Sequence, residues 1–239
     1  EKVVPFMAIF YCFFALIVIF MNGAALPEAI SNIFTGAFTG EGVAGGALGA
    51  LIIGFQRAVF SNEAGIGSAS IAHAAVKTSE PVTEGVVSLL EPFIDTIVIC
   101  TITALVIGTS AVANPGFAGD ATGIAMTSAA FETQISWFPI PLAFAGMLFA
   151  FSTMLAWSYY GMKGWTYLFG NSPFIENIFK VIFCIFIVIG AAGDMSSVWA
   201  FSDAMILALV FPNMIGLFII FPKVKEELTR YVEAINGKN

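Results

Sequence analysis

The stretch SNEAGIGSAS, Ser61 to Ser70, decides how the rest of this chain is read. It lies between two apolar, helix-forming runs, Gly46 to Phe60 and Ile71 to Val76. It is polar, rich in glycine and carries a carboxylate. Hydrocarbon disfavours all three, and irregular backbone at membrane depth survives only where protein or a water-filled cavity surrounds it. An apolar segment interrupted by glycine is the best sequence pointer to a binding site in membrane carriers. Small residues every few positions also let helices pack closely, but the added Ser-Asn-Glu argues for an interrupted helix.

Composition sets the solvent. The 239 residues are 59% hydrophobic and 10% charged, against roughly 25% charged in a soluble domain. The chain therefore reads as an all-α, polytopic integral membrane protein. Its 25 phenylalanines suit lipid-facing surface and helix packing. The net charge of -7 says little, because the placement of Lys and Arg matters more than their sum. No basic patch with interleaved aromatics points to nucleic acid. Cys12, Cys100 and Cys184 each sit in an apolar run without metal spacing and read as small hydrophobes. His73, the single histidine, rules out a multi-histidine metal site. With no nucleophile and base pair visible, the pattern argues against an enzyme.

A membrane helix needs about 20 mainly apolar residues. Six segments qualify, the second of them broken: Val3 to Met21, Gly46 to Lys77, Val86 to Thr109, Trp137 to Tyr160, Ile178 to Ala192 and Val198 to Phe221. Apart from Arg57, every Lys and Arg falls at the start, at the Lys77 turn, between Lys163 and Lys180, or in the tail from Lys223 to Asn239. The other connections, Asn22 to Gly45, Ser110 to Ser136 and Gly193 to Ser197, hold only acidic residues among their charges. By the positive-inside rule both chain ends are cytoplasmic and those connections face out. Leu26 to Phe38 and Thr122 to Gln134 read as short helices in the outer connections, either lids over a vestibule or ordinary surface helices. The start, Glu-Lys-Val-Val-Pro, has no Met and no leader pattern, so the chain is expected to be the C-terminal portion of a longer protein.

Several polar groups lie at membrane depth. A helix broken at its middle presents N–H groups that attract an anion and carbonyls that attract a cation, so one break can hold a zwitterion beside an ion. Glu63 lies in the break and Arg57 stands before it. Intramembrane charges are functional candidates, but both also suit a structural brace. Glu91 and Asp95, at i and i+4, fall on one helix face; they either handle a proton or cation, or pack as a polar face near Pro92. Ser152 and Thr153 offer adjacent hydroxyl oxygens, with the carbonyl of Phe149 one turn back. Hard cations take oxygen ligands, so this is a candidate sodium site, completed by carbonyls from another broken helix. The same hydroxyls also commonly bond their own backbone. Trp157, four residues after Thr153, can wall a small pocket. Asp203 lies near the outer end of the last segment and reads as solvated at the interface.

The run Phe55-Gln-Arg-Ala-Val-Phe-Ser-Asn-Glu-Ala-Gly-Ile-Gly-Ser-Ala, followed by Ala72-His-Ala-Ala, closely resembles the signature of the alanine or glycine:cation symporter family, the sodium:alanine symporters. Phe93-Ile-Asp-Thr-Ile-Val-Ile-Cys-Thr and Ala150-Phe-Ser-Thr resemble further blocks of that family. The resemblance implies a leucine-transporter-type fold of two inverted five-helix repeats. Residues 1–22 would be the last helix of the first repeat, 23–45 an outer connection, 46–222 the second repeat and 223–239 a cytoplasmic tail. It also implies sodium-coupled symport of small neutral amino acids, by alternating access, in a prokaryotic plasma membrane. Carried onto this chain, it puts Phe60, Ser61, Asn62, Glu63, Ala64, Gly65, Ile66 and Gly67 in the substrate wall. It puts Trp157 beside the substrate, and Ser152 and Thr153 in a site for the co-transported sodium ion. Ile66 stands where Met is usual, and Ser70 where Pro is frequent. The facing half of both sites is expected from the missing first repeat. Two alternatives remain open: a proton-coupled carrier using Glu63 or the Glu91 and Asp95 pair, and a channel, which would need a polar file through several helices.

Overall fold

The computed structural model describes residues 3–39 and 46–237. The end of the first outer connection, with Glu41, lies outside the described residues, as do Lys2 and Lys238. Among the described residues all regular structure is helical. We number the helices α1 (Val3–Met21), α2 (Leu26–Thr39), α3 (Gly46–Asn62), α4 (Ser68–His73), α5 (Pro81–Ala113), α6 (Ile124–Glu132), α7 (Pro139–Phe169), α8 (Pro173–Ala192) and α9 (Met195–Asn236). Five of these, α1, α5, α7, α8 and α9, are long and apolar enough to cross a membrane. The remaining expected segment is the broken one. Its first half, α3, has 17 residues and reaches roughly 26 Å at 1.5 Å per residue, short of the ~30 Å hydrocarbon layer.

Local chemistry explains the starts of two long helices. Pro173 opens α8, where its missing N–H is no loss, and Ser172 caps it by accepting the N–H of Ile175 at 3.4 Å. Asp194 caps α9, accepting the N–H of Ser197 at 3.0 Å and its hydroxyl at 3.1 Å. Bonds from Ser196 and Ser197 hold the Asp194 carboxyl below its ordinary range. α9 runs on through Pro212 and Pro222 for 42 residues. The polar tail thus continues the last membrane helix without interruption. Inside α5, residues Phe93–Cys100 are wound as a π-helix, just after Pro92, which lacks the N–H an α-helix would use there.

The chain forms two units, residues 1–54 with 94–156, and residues 55–93 with 157–239. In the first, Ala15, Val18, Val106, Ala130, Phe131, Phe138 and Leu142 make a closed core from α1, α5, α6 and α7. The rings of Phe131 and Phe138 stack at 4.4 Å between centroids. Helices in lipid gain little from apolar burial and associate through close packing and hydrogen bonds, and both occur here. Gly108 has no side chain where a Cβ would touch Ala29 of α2 at 3.4 Å. The buried hydroxyl of Ser110 donates to the Ala130 carbonyl at 3.2 Å. Both short helices are anchored in this unit: Leu26 of α2 packs against the core, and Ala29, Ala130 and Phe131 are all at 1% exposure or less.

In the second unit, α8 approaches α7 at Gly161, where a Cβ would stand 2.7 Å from the Phe179 ring. The Trp165 indole donates to the Ile175 carbonyl at 3.2 Å. The broken segment contacts α9 at successive levels: Arg57 with Asp203, Gly65 with Asn213, and, just beyond α4, Glu80 with Arg230. Residue numbers rise together along both partners, so the two run in the same direction. Three spans lie between them, α5, α7 and α8, which is what strict alternation across a membrane requires.

Candidate functional site

The break begins where α3 ends at Asn62. Glu63 still donates its N–H to the Val59 carbonyl at 3.1 Å, and then the ladder stops. Glu63, Gly65 and Gly67 take φ values of 57°, 87° and 94°. Left-handed backbone costs a residue with a Cβ about 1 to 2 kcal/mol, and glycine much less. Glu63 bears that cost inside a local turn, in which the Asn62 side chain accepts the N–H of Ala64 at 2.9 Å. Ile66 and Ser68 are buried, anchoring the far side of the break. Ser70, which stands where Pro is frequent in the family it resembles, donates its hydroxyl to the Gly67 carbonyl at 2.7 Å.

A residue of α9 contacts the break. Asn213 donates its amide N–H to the Gly65 carbonyl at 2.8 Å, an acceptor the interrupted ladder leaves free. Its Oδ1 lies 3.1 Å from the place a Cβ on Gly67 would occupy. Gly65, Gly67, Ser70, His73, Glu84 and Asn213 line one cavity of about 580 Å³.

Ion pairs flank the break on either side along the chain. Before it, Arg57 pairs with Asp203, and Gln56 donates to the same carboxylate oxygen at 2.7 Å. The Arg57 guanidinium also lies over the rings of Phe60 and Trp199 at 5.7 and 5.6 Å, and those rings meet at 5.2 Å. Arg57 is therefore a brace tied to α9. Asp203, expected to be solvated, is its partner, with a side chain only 14% exposed. After the break, His73 Nδ1 lies 2.6 Å from Glu84 and Nε2 lies 3.2 Å from Glu91. The Trp157 ring, in the same unit as the break, lies 6.1 Å from that of Tyr160.

The expected sodium ligands fall in the other unit. Ser152 donates its hydroxyl to the Phe149 carbonyl at 2.8 Å. That bond uses the hydroxyl proton and leaves oxygen lone pairs on both groups. Thr153 is exposed. Phe149 lines a second cavity of about 360 Å³ with Tyr11, Asp95 and Thr103. Glu91 lies 3.2 Å from His73, and Asp95 lines the cavity with Phe149. The π-helical turns that begin at Phe93 bond i to i+5, so the four-residue spacing no longer implies a shared face.

Sequence reasoning passed over Asn213, Gln56 and Glu84 and misjudged Asp203. For Asn213 and Asp203 a signal existed, since a polar side chain in an apolar helix needs a partner. The identity of that partner is not local information.

An all-helical, multi-pass chain with a polar break in one segment has the build of a membrane transport protein. It belongs to the sodium:alanine symporter family, whose model matches residues 1–239. Family and relatives are transporters rather than enzymes. The chain is 38% identical over 97% of its length to the sodium/alanine symporter AgcS of Methanococcus maripaludis, covering 51% of that protein. It is 35% identical to the probable sodium/glutamine symporter GlnT of Bacillus subtilis, over 97% of this chain and 48% of that one. It is also 35% identical to the amino-acid carrier protein AlsT of Bacillus subtilis, over 92% and 46%. The chain thus spans about half the length of the curated relatives it matches.

Proposed function

We propose that this chain forms one half of a sodium-coupled symporter of small neutral amino acids, alanine or glycine, working by alternating access in a prokaryotic plasma membrane with both chain ends cytoplasmic. The observation that carries this reading is the break at Glu63 to Gly67, whose freed Gly65 carbonyl accepts the Asn213 amide. Backbone polar groups freed there suit a zwitterion, and Phe60 to Gly67 with Trp157 form the wall it binds against. Sodium, as co-substrate, takes the hydroxyl oxygens of Ser152 and Thr153 and the carbonyl of Phe149, consistent with its preference for oxygen ligands. In this reading the architecture is the leucine-transporter type, and a first repeat outside these 239 residues supplies the facing wall of both sites.

The test is counterflow of labelled alanine and glycine, with glutamine as competitor, in liposomes bearing the full-length protein. Thr153→Val removes one ligand oxygen at nearly constant volume and should abolish sodium-dependent uptake. Unchanged uptake with unchanged sodium dependence refutes the ion site. Uptake that follows pH and ignores sodium transfers the assignment to a proton-coupled carrier.

A further inference from the structure

The proposed function leaves His73 unused, yet its surroundings are the most chemically specific on the chain. It is the last residue of α4, the half-helix that leaves the break, and it lines the same cavity as Gly65 and Asn213. Both ring nitrogens lie near carboxylate oxygens: Nδ1 is hydrogen-bonded to Glu84 at 2.6 Å, whereas Nε2 is a buried atom 3.2 Å from Glu91 but out of line for a hydrogen bond. An ionised carboxylate only accepts hydrogen bonds, and neutral imidazole donates from one nitrogen while the other presents a lone pair. In the neutral form one of these two approaches would set lone pair against lone pair. With both carboxylates ionised, only the imidazolium turns an N–H toward each, and it answers two adjacent negative charges with one positive charge.

We infer that His73, Glu84 and Glu91 form a proton-binding site, occupied in this conformation, and that the bound proton ties α4 to α5. Other charged groups nearby do not replace it. Arg230 on α9 is engaged with Glu80 at 3.5 Å and Glu227 at 2.7 Å. Tyr160 on α7 is within electrostatic reach of Glu91 and Glu63 and brings no positive charge. Asn213, across the cavity, is neutral. Lys77 follows four residues after His73 on the chain. Losing the proton would leave Glu84 and Glu91 facing each other's charge across a neutral ring that can donate to only one of them, and the tie between α4 and α5 would loosen. Because Asn213 bonds the other end of the break at Gly65, that loosening frees the half-helix to shift relative to α9. A proton would thus set the inner half of the transport site. This last link rests on the transport reading above, whereas the protonation of His73 does not.

The experiment uses full-length protein labelled with ¹⁵N-histidine in liposomes. Solid-state NMR is read at pH 7, with His73→Gln identifying the His73 signal by difference. Two protonated ring nitrogens are expected in the wild type, and a neutral ring in the Glu84→Gln, Glu91→Gln double variant. A neutral wild-type ring, or an imidazolium that survives the double variant, overturns the site. In parallel, alanine uptake is followed while internal pH is raised from about 7 to about 9, past the ordinary histidine range. The wild type should lose at least half its rate, and His73→Gln should give a flat profile. A wild-type profile that His73→Gln leaves unaltered overturns the link to transport. If no alanine is carried at all, the transport reading falls while the NMR result stands.

Discussion

Replacing Gly67 by alanine tests the geometry of the break most directly. Two costs fall on that change. Gly67 sits at φ 94°, and forcing a Cβ-bearing residue into left-handed backbone costs about 1 to 2 kcal/mol. The new Cβ would also lie 3.1 Å from Asn213 Oδ1 and 3.3 Å from its Cγ. The amide must give by a few tenths of an ångström, which at most costs its 2.8 Å bond to the Gly65 carbonyl, worth about 0.5 to 1.5 kcal/mol net. If the binding-competent break becomes rarer by both amounts, apparent affinity falls in proportion, by roughly 10- to 300-fold. Gly65→Ala provides the internal control. Its φ is 87°, but nothing lies within 4 Å of its Cβ position, so only the backbone cost of roughly 5- to 30-fold applies. Equilibrium binding of labelled alanine to the full-length protein reads both. Gly67→Ala should be about 2- to 10-fold worse than Gly65→Ala, and Asn213→Ala should remove that difference. Equal affinities for the two glycine variants would refute the assigned contact between Asn213 and the break.

Two further expectations concern the ends of α9 and α3. Arg57→Gln should impair folding and uptake more than the Arg57→Gln, Asp203→Asn double variant. The single change strands a mostly buried carboxylate, and a double-mutant cycle on thermal inactivation of the full-length protein should show positive coupling; additive losses would dismiss the brace. Asp194 caps α9 with its pKa lowered chiefly by the Ser196 hydroxyl and the Ser197 N–H. Its contribution is therefore complete above the unfolded carboxylate value near 3.8 and fades as pH falls through the lower folded value. Hydrogen exchange at the Ser197 amide should stay protected from neutral pH to that point and be lost at all pH values in Asp194→Ala; protection lost well above pH 3.8 would contradict the capping geometry.

Much of this architecture is written in local sequence because the bilayer makes local demands. A run such as Val3 to Met21 has one stable solution in lipid, a helix, since no water is present to satisfy its backbone. The break is equally local: Gly65 and Gly67 accept positive φ, Asn62 and Ser70 bond nearby backbone, and no distant residue is needed to see the ladder stop. The short outer helices near Leu26 and Ile124 were also legible, although their anchoring through Ala29, Ala130 and Phe131 was not.

What the tertiary structure alone decided is which polar residues answer one another. Asp203 looked solvated until α9 was seen to lie alongside the broken segment and bring it to Arg57, 146 residues away. Asn213 drew no attention in the sequence, and only the fold brings it to the Gly65 carbonyl, 148 residues away. Glu91, read only by its spacing from Asp95, proves to lie 3.2 Å from His73, 18 residues back along the chain. Hydropathy and glycine report the cost of exposing a group where it stands, so the sequence by itself determined the helices and the place of the break. A partner for a buried charge or a freed carbonyl depends on which helix packs beside it, and that is settled only when the chain has folded.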